Sequence, residues 1–443
     1  MMTTYEKYKK SELIWLDKYP EHWSIDKAKY LTDRIGDGLH GTPKYDDEGP
    51  FYFINGNNLK NGEINHLDAR RISKSTFEEI KIHFNDQTVF YSINGTIGNL
   101  AFYNGEPVAL GKSVAYLRLR KSINKYYLFY FLQSLAVSNF FKYEMTGTTI
   151  NNLSLNTLRN TFYFLPPLPE QQAISQYLDT KTQAIDKKVS LLEQKIDYYK
   201  ELRKSLINDA VTKGLDKTVE LKDSGIDWIG EIPEHWEIER FKDSFNLKTG
   251  NSISDKGAFE VKEKAHFYIS TKDISIDSGA INYDNGLYVP IANKSFKRAK
   301  INSTLICIEG ANAGKKIGFT EKEVCFVNKL CSIKGKKKTV HDKYHFYFIN
   351  SKAFDNQFSS LISGLIGGVS INQIKFFNVL MPPIDEQTKI AEYLDEKTAT
   401  IDKIVQNITD QIDRLKELRK TLINDVVTGK IRVFEPSENK VVE

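Results

Sequence analysis

The stretch Pro166-Pro167-Leu168-Pro169-Glu170-Gln171 opens a segment that returns later in the chain behind Pro382-Pro383-Ile384-Asp385-Glu386-Gln387. The two segments, residues 166–212 and 382–428, align without a gap at an offset of 216 positions, and 27 of the 47 aligned pairs are identical. Both segments also close on the same motifs, Lys-Glu-Leu-Arg-Lys and then Leu-Ile-Asn-Asp. The chain is therefore built on an internal duplication.

Each copy of the duplicated segment has the pattern of one long helix. Prolines stand at its start, where a missing N–H costs no hydrogen bond, and Gly214 and Gly429 stand where a helix C-terminus favours glycine. At 1.5 Å per residue, such a helix spans about 60–65 Å and can act as a spacer.

The apolar residues of both helices recur at a seven-residue period, which indicates a left-handed coiled coil. The alternative, an amphipathic helix lying on its own domain, predicts a period of 3.6 residues. Arg203 and Arg419 fall at core-like positions, where polar residues can fix the register. We expect the two helices to pair with each other through a core of apolar residues: Leu178, Ile185, Val189, Leu192, Ile196, Leu206, Leu394, Ile401, Val405, Ile408, Ile412, Leu415 and Leu422.

A second repeated motif precedes each variable region. The stretch from Trp15 to Trp23 returns, at an offset of 213, as the stretch from Trp228 to Trp236, and both contain Pro-Glu-His-Trp. The repeating unit is thus a lead-in, a variable domain and a long helix, used twice. The boundaries we predict are residues 1–165 for the first domain with its lead-in, 166–214 for the first helix, 215–381 for the second domain with its lead-in, 382–435 for the second helix, and 436–443 for a tail.

The variable domains have the pattern of an α+β fold. Short β-rich runs such as 50–54 and 87–91 alternate with Asn-Gly turns, and one aromatic, helix-like segment stands upstream of each long helix. We expect two domains with irregular, mostly antiparallel sheets plus helices. The two long helices between them should pair as an antiparallel coiled coil, with pseudo-twofold symmetry.

Bulk composition indicates a globular, cytoplasmic protein of several domains. The chain has 443 residues, of which 40% are hydrophobic, and we find no apolar run long enough to span a membrane. Its three cysteines are an odd set and imply no disulfide framework. Positive charge is uneven: residues 241–345 hold 19 Lys and Arg against 11 Asp and Glu, whereas residues 24–150 hold 15 against 13.

We find no motif that would give this chain chemistry of its own. The stretch from Glu309 to Lys316 resembles a phosphate-binding loop, but the spacing of its glycines and the residue after its first lysine are wrong. Cys325, Cys331, His341 and His345 could suggest zinc, yet the gap between the cysteines is too wide for a zinc finger. His22 and His235 are interpreted as structural residues. We therefore expect no catalytic residue, no metal ion and no cofactor on this chain.

The layout resembles the specificity subunit of type I restriction–modification enzymes. The resemblance rests on two variable domains, each followed by a Pro-Pro-x-x-Glu-Gln helix that ends in the shared motifs, and on the Pro-Glu-His-Trp lead-ins. The stretch from Asp37 to Tyr45 fits the same family. The resemblance covers nearly the whole chain.

Such a resemblance implies a non-catalytic DNA-specificity subunit. In that family, two target-recognition domains each read one half of a bipartite, asymmetric double-stranded DNA site, and the helices set the unread spacer. Two methyltransferase subunits methylate adenine N6 with S-adenosylmethionine, and motor-nuclease subunits join for restriction. S-adenosylmethionine, ATP and magnesium are thus expected on the partners.

Loop residues of suitable type are the candidates for contacting DNA, because lysine favours phosphate while asparagine, threonine and histidine can reach base edges. Each could equally be an ordinary turn or surface residue. In the first domain the candidates are His40, Thr42, Lys44, Tyr45, Thr96, Thr148 and Asn151, and in the second they are Lys272, Asn312, Lys315, Lys316 and Lys337.

Two other functions fit parts of the sequence. One is a coiled-coil scaffold with two globular heads that bind proteins. A DNA binder should lose affinity steeply with salt, and a scaffold should not. The other is a self-sufficient nuclease or methyltransferase, which the missing motifs disfavour.

Overall fold

The computed structural model describes residues 3–13, 15–144, 152–255, 257–362 and 367–434. It divides into two compact units. Unit 1 consists of Met1–Leu192 with Gln411–Glu443, and unit 2 consists of Glu193–Asp410. Each unit therefore contains one variable domain, the first part of the long helix that follows it, and the last part of the other long helix.

Unit 1 is an α+β assembly of short strands around a helical layer. Its strands are β1 (Tyr8–Lys10), β2 (Lys18–Pro20), β3 (Ser24–Lys27), β4 (Thr32–Asp37), β5 (Phe51–Ile54), β6 (Leu59–Lys60), β7 (Glu63–Ile64), β8 (Arg70–Ile72), β9 (Thr88–Ser92), β10 (Leu100–Phe102), β11 (Val108–Leu110), β12 (Val114–Leu119) and β13 (Phe162–Leu165). Its helices are α1 (Ala28–Leu31), α2 (Lys74–Ile80), α3 (Lys125–Leu132), α4 (Leu135–Glu144), α5 (Leu155–Asn160) and the start of the first long helix, α6 (Leu168–Lys213).

The main sheet of unit 1 is antiparallel in the order β10-β9-β12-β4. A second sheet, β11-β5-β8, contains the parallel pair β11 and β5. The lead-in forms the β1-β2 pair, and β3 pairs with β13 immediately before the long helix. The β3-β13 pair thus ties the start of the domain to the start of the helix.

Unit 2 repeats this plan. Its strands are β14 (Leu221–Asp223), β15 (Glu231–Pro233), β16 (Glu237–Arg240), β17 (Phe245–Thr249), β18 (Ala265–Ile269), β19 (Tyr288–Pro290), β20 (Arg298–Ala299), β21 (Thr304–Cys307), β22 (Ile317–Phe319), β23 (Val324–Phe326), β24 (Leu330–Gly335) and β25 (Asn378–Met381). Its helices are α7 (Phe241–Ser244), α8 (Asp342–Ile349), α9 (Lys352–Ser359), α10 (Ile371–Ile374) and the start of the second long helix, α11 (Ile384–Val427).

The main sheets of the two units match strand for strand, and the second sheet of unit 2 has one strand more than that of unit 1. The antiparallel sheet β17-β24-β21-β22 corresponds to β4-β12-β9-β10, and the sheet β19-β18-β23-β20 again contains one parallel pair, β18 with β23. The pair β16-β25 corresponds to β3-β13. The two variable domains therefore share a fold although their sequences diverge.

Both long helices end at or just before the predicted glycines, α6 at Lys213 and α11 at Val427. Gly214 has φ of +71° and Gly429 has φ of +74°, a left-handed conformation that favours glycine at a helix C-terminus. A Cβ on Gly429 would also lie 2.3 Å from Pro20 Cδ. Conformation and space thus both require glycine at this end.

The far end of each long helix completes the core of the unit in which it terminates. In unit 1, Leu422, Ile423 and Val427 of α11 are buried among the aromatic side chains of α3 and β13. In unit 2, Ile207 and Val211 of α6 are buried in the equivalent cluster with α8 and β25. A variable domain therefore has a complete core only when the other repeat's helix is present.

The structure confirms the predicted fold class: two α+β domains with mostly antiparallel sheets, and two long helices in an internal repeat. In unit 1, Tyr127 Oη contacts the carbonyls of Phe164, just before α6, and Val427, at the end of α11. Asp186, farther along α6, contacts Arg419, farther back on α11, so the two helix segments run antiparallel. In unit 2, Gly214 after α6 lies beside Glu386 near the start of α11, while Arg203 contacts Asp402, so the segments there are antiparallel as well. The predicted pairing residues are all buried or half-buried along α6 and α11.

Candidate nucleic-acid interface

The Glu-Gln motif at the start of each long helix binds the helix to its own variable domain. In unit 1 the buried Glu170 carboxylate accepts a hydrogen bond from Tyr5 Oη at 2.6 Å, and its other oxygen lies 2.8 Å from His22 Nε2. Burial, together with this carboxylate, raises the pKa of Tyr5, so its hydroxyl remains a donor. His22 is thus held structurally, as the sequence suggested.

The same motif recurs in unit 2 with one change of partner. Glu386 Oε2 lies 2.9 Å from His235 Nε2 and accepts a hydrogen bond from Trp236 Nε1 at 3.1 Å. Its side chain is 25% exposed, whereas that of Glu170 is 2% exposed. The contact between the glutamate of the long helix and the lead-in is therefore more exposed to solvent in unit 2 than in unit 1.

The glutamine of the motif docks the helical layer of each domain. Gln171 Oε1 accepts from the backbone N–H of Asn124, the N-cap of α3, at 2.9 Å. Gln387 Oε1 accepts from the backbone N–H of His341, the N-cap of α8, also at 2.9 Å. One glutamine side chain in each unit therefore fixes where the aromatic helix of the variable domain, α3 in unit 1 and α8 in unit 2, meets the long helix.

A tyrosine on that aromatic helix adds a third contact. Tyr130 Oη donates to Asp179 Oδ1 at 2.6 Å in unit 1, and Tyr347 Oη donates to Asp395 Oδ1 at 2.5 Å in unit 2. Burial, and then the hydrogen bond to the aspartate, raise the pKa of both tyrosines. Three matched contacts thus hold each variable domain rigidly on its helix, which suits a domain that must present loops at a fixed position.

The loops suited to contact a ligand leave one edge of the main sheet. In unit 1 the first residues of β12 lie opposite the last residues of β4 and β9, as Ala115 pairs with Asp37 and Val114 pairs with Ser92. Residues 38–45, 93–99 and 111–113 therefore emerge side by side, and we call them the loop edge of unit 1. Asn94 also forms a bridge with Asn152.

Polar and charged side chains line a cavity of about 380 Å³ on this edge, among them Asp37, His40, Asn94, Lys112 and Asn152. His40 Nε2 lies 2.7 Å from Asp37 Oδ2, and its side chain is 70% exposed. Such a set offers hydrogen-bond donors, acceptors and one ammonium group, the groups that read base edges and phosphates.

The other candidates of unit 1 differ in accessibility. Thr42, Lys44 and Thr96 are exposed on the loop edge. Tyr45 is half-buried, and its ring lies under the Arg70 guanidinium at 3.8 Å, which stabilises the loop by a cation–π contact. Thr148 and Asn151 lie outside the described residues.

Unit 2 has an equivalent loop edge, formed by residues 250–253, 308–316 and 327–329. The last residues of β17 and β21 lie opposite the first residues of β24, with Thr249 pairing with Cys331 and Cys307 pairing with Leu330. Glu309 bridges to Gly368, as Asn94 bridges to Asn152 in unit 1. The same backbone framework therefore presents different side chains in the two units.

Four of the five candidates in unit 2 lie at or beside this edge. Asn312 is half-buried in the loop, and Lys315 is exposed beside a cavity of about 720 Å³. Lys316 Nζ donates to the backbone carbonyl of Thr271 at 2.7 Å, so this ammonium ties the loop to the turn that carries the exposed Lys272.

Lys337 is not brought to the loop edge. It follows the last residue of β24, at the opposite end of the strand, and its Nζ lies 2.7 Å from Glu239 Oε2. The charge run from Lys334 to Lys338 thus belongs partly to ion pairs within unit 2, since Lys334 also pairs with Asp342.

Sequence reasoning missed Lys112, Asn94 and Asn152 as members of the unit 1 edge. Lys112 stands alone between a glycine and a serine, and no local pattern marks it. The available signal was the strand order, because a residue just before β12 must lie beside residues just after β4 and β9. That order is a tertiary property.

Of the residues considered for zinc, Cys325, Cys331 and His345 are buried in the core, whereas His341 is half-buried at the N-cap of α8. Cys325 lies on β23 and Cys331 on β24, in different sheets, and burial raises their pKa values to about 11 and about 12. Burial lowers the pKa of His345 to about 3, so this ring is neutral, with Nδ1 2.9 Å from the carbonyl of His341. Among the described residues, no group of three or more His, Cys, Asp or Glu side chains is arranged to hold a metal ion.

No helix within the described ranges is both long and apolar enough to cross a membrane. The long helices, α6 and α11, carry charged residues throughout their length.

Comparison with known proteins identifies the family. The model of the type I restriction modification DNA specificity domain matches residues 42–196 and 233–414, one match in each repeat. The putative type I restriction enzyme MjaX specificity subunit of Methanocaldococcus jannaschii is 26% identical over 444 residues, which cover 97% of each chain.

Two solved structures share the fold. A chain from a structure of the type I R-M system, concerned with complex assembly and conformational transition, aligns with a TM-score of 0.71 at 15% identity, over 94% of this chain and 100% of that chain. The HsdS subunit from Thermoanaerobacter tengcongensis aligns with a TM-score of 0.52 at 15% identity, over 93% and 98%. Together with the family match in both repeats, these findings confirm the resemblance seen in the sequence: the chain belongs to the type I restriction–modification DNA specificity family.

Proposed function

We propose that this chain is the non-catalytic specificity subunit of a type I restriction–modification complex and reads a bipartite, asymmetric site in double-stranded DNA. Unit 1 reads one half-site through its loop edge, and unit 2 reads the other. The observation that carries the proposal is the repetition of one loop edge on one framework with different side chains. Because the two edges differ, the two half-sites differ.

The long helices set the distance between the half-sites. Two half-sites can be read together from one face of DNA only when they are separated by about one helical turn, roughly 34 Å, or a multiple of it. The matched Glu-Gln and tyrosine contacts support this role, because they fix each variable domain on its helix.

The reaction itself belongs to partner subunits. Two methyltransferase subunits methylate adenine N6, and motor-nuclease subunits join for restriction. S-adenosylmethionine, ATP and magnesium are expected on those subunits. An adenine must leave the base stack to be methylated, and the pocket that receives it is the methyltransferase's. The contribution of this chain is to choose the sequence and to hold the methyltransferases over it.

Methylation mapping tests this function. The chain is co-expressed with a methyltransferase subunit of its own genome in a host without adenine methylation, and the DNA is sequenced for N6-methyladenine. A split, asymmetric motif with one methylated adenine per strand is the expected result. Unmethylated DNA, with both proteins folded and associated, would instead favour a coiled-coil scaffold that binds proteins.

A further inference from the structure

Three lysines on unit 2 form a cluster without ion-pair partners. Lys248 lies on β17, one residue before its end, while Lys297 and Lys300 flank β20. The described part of the chain offers none of the three a salt bridge, and the neighbouring carboxylate of Glu323 is already paired with Arg298 at 3.4 Å. We call these three residues the lysine stripe.

The stripe begins at the loop edge of unit 2. The backbone N–H of Lys297 donates to Asn251 Oδ1 at 2.8 Å, and Asn251 is the second residue after β17. The N–H of Asn251 in turn donates to the carbonyl of Phe326, the last residue of β23, at 2.9 Å. Because β20 pairs antiparallel with β23, Arg298 with Cys325 and Ala299 with Val324, the chain runs from Lys297 beside the end of β23 to Lys300 beside its start. The stripe thus runs from the loop edge down the side of the unit.

Lys248 shows that the cluster is costly to the free protein. Its side chain is half-buried, and its pKa is lowered by burial, then by the charge of Lys300 and, less, by that of Lys297, while the carboxylate of Glu323 offsets only part of this lowering. An ammonium that is partly removed from water and faces like charges destabilises a fold unless an anion neutralises it. A cluster with this cost suits an anionic ligand.

Unit 1 has no lysine at the position of Lys248. The residue of unit 1 that corresponds to Lys248 is Gly36, because Gly36 pairs with Tyr116 as Lys248 pairs with Ser332. A Cβ at Gly36 would lie 2.7 Å from Tyr116 Oη, so the position cannot carry a lysine without displacing that ring. The difference agrees with the excess of positive charge in residues 241–345.

From these observations we infer that the lysine stripe contacts the phosphate backbone of DNA beside the half-site read by unit 2. This inference rests on the proposed function. Phosphate contacts fix the register of a protein on the duplex and carry no sequence information of their own. The stripe is therefore a positioning element, and the loop edges choose the bases.

The test compares two triple variants that remove the same charge. The stripe variant is K248Q/K297Q/K300Q, and the control is K217Q/K222Q/K262Q, three exposed lysines elsewhere in unit 2. Each is prepared as the full chain in complex with the methyltransferase subunit. Binding to a fluorescein-labelled duplex with the methylated sequence, and to one with both half-sites scrambled, is followed by anisotropy from about 50 to 200 mM salt.

Each lost phosphate contact should reduce the slope of log K against log salt by about 0.9. The stripe variant is expected to lower the slope by about 2–3 on both duplexes while keeping its preference for the specific one, and the control should lower it by less than 1. The stripe variant should also melt at the wild-type temperature or above it, because it removes charge repulsion.

The possible results separate the two proposals. If wild-type complex binds DNA with a steep salt dependence and the stripe variant has the same slope, or only the same small change as the control, the stripe does not contact phosphate and the proposed function stands. Loss of sequence preference without a change in slope also overturns the inference. Wild-type binding that does not depend on salt would overturn both.

Discussion

Asp186 and Arg419 join the two long helices in unit 1, where Asp186 Oδ1 lies 3.0 Å from Arg419 Nε. The residues 216 positions away form the reciprocal pair in unit 2, where Asp402 Oδ1 lies 3.4 Å from Arg203 Nε. Each pair thus uses the same two repeat positions, taken from opposite helices. The arginines stand at core-like heptad positions, so a shift of one helix turn would separate both pairs from their partners.

Exchanging the charges of Asp186 and Arg419 tests whether the attraction between these two side chains stabilises the pairing of the helices. The single variants D186R and R419D each place like charges together and should destabilise the protein by about 0.5–1 kcal/mol, a modest effect because the aspartate is 55% exposed. The double variant D186R/R419D restores opposite charges and should recover most of the loss. Thermal unfolding of the full chain measures all three. A double variant as unstable as the sum of the singles would show that the pair does not act across the helices.

The Glu-Gln motif should matter more in unit 1 than in unit 2. Glu170→Ala leaves Tyr5 Oη and His22 without their buried partner, and we expect a loss of about 2–3 kcal/mol. Glu386→Ala removes a carboxylate that is 25% exposed and whose partner His235 is itself exposed, so water replaces part of the contact, and a loss of about 1 kcal/mol is expected even though Trp236 is buried. Urea unfolding measures the difference. The repeat makes Glu386 the matched control, and an equal loss at both positions would contradict the role assigned to burial.

Acid should weaken unit 2 through His345. Its pKa in the folded protein is about 3, below the unfolded value near 6.5, so the unfolded chain binds an extra proton between these values. Stability is therefore present above pH 6.5 and is lost as the pH falls towards 3, by about 2 kcal/mol at pH 5 from this group alone.

Leu128, which occupies the equivalent place on α3, suggests the variant that tests this effect. His345→Leu should shrink the difference in unfolding free energy between pH 7 and pH 5. The reciprocal position serves as a control, since Leu128→Met leaves a non-titrating side chain and should preserve the pH dependence. An unchanged pH dependence in His345→Leu would assign the acid sensitivity to other groups.

The sequence was sufficient to predict the parts of the fold that depend on local sequence patterns. The heptads, the prolines before Leu168 and Ile384, and the glycines at 214 and 429 defined both long helices, because helix periodicity and termination are local properties. The sequence could not show that Ile423 completes the core of unit 1, or that Ile207 completes that of unit 2. Both residues lie outside the heptad seam, and their partners are distant in the chain.

The sequence indicated that the candidate interface is made of loops, but it indicated less well which residues lie on it. His40 and Thr96, chosen by residue type and loop position, both lie on the loop edge of unit 1, and their contact with DNA stays a prediction. A charge run was a poorer guide, since Lys337 is paired at the far end of β24, while the separated Lys248, Lys297 and Lys300 gather from three parts of the chain. Strand pairing decides which lysines have ion-pair partners, and a pattern read along the sequence does not show this pairing.

Two lysines at opposite ends of β12 test whether the loop edge is the DNA-contacting edge. Lys112 precedes the strand at the loop edge, and Lys121 follows it at the other end, and both are exposed. Lys112→Gln should weaken binding of the specific duplex several-fold and reduce methylation in cells, because a contact to DNA is worth about 1 kcal/mol or more. Lys121→Gln should leave both near wild type. An equal effect of the two variants would show that overall charge, and not the edge, is responsible.

The long helices should determine the spacer independently of the sequences read. We expect that inserting seven residues into each, after Leu192 in α6 and after Asp410 in α11, preserves the heptad pattern and lengthens each helix by about 10 Å. Because the insertions fall between the two units, both cores and both loop edges stay intact. Methylation mapping should then give the same two half-sites with a longer spacer. A spacer of unchanged length would rule out the helices as its ruler, and an altered half-site would show that the loop edges depend on the helices for more than position. Insertion into α6 alone is the control, since it breaks the antiparallel register and should abolish specific methylation.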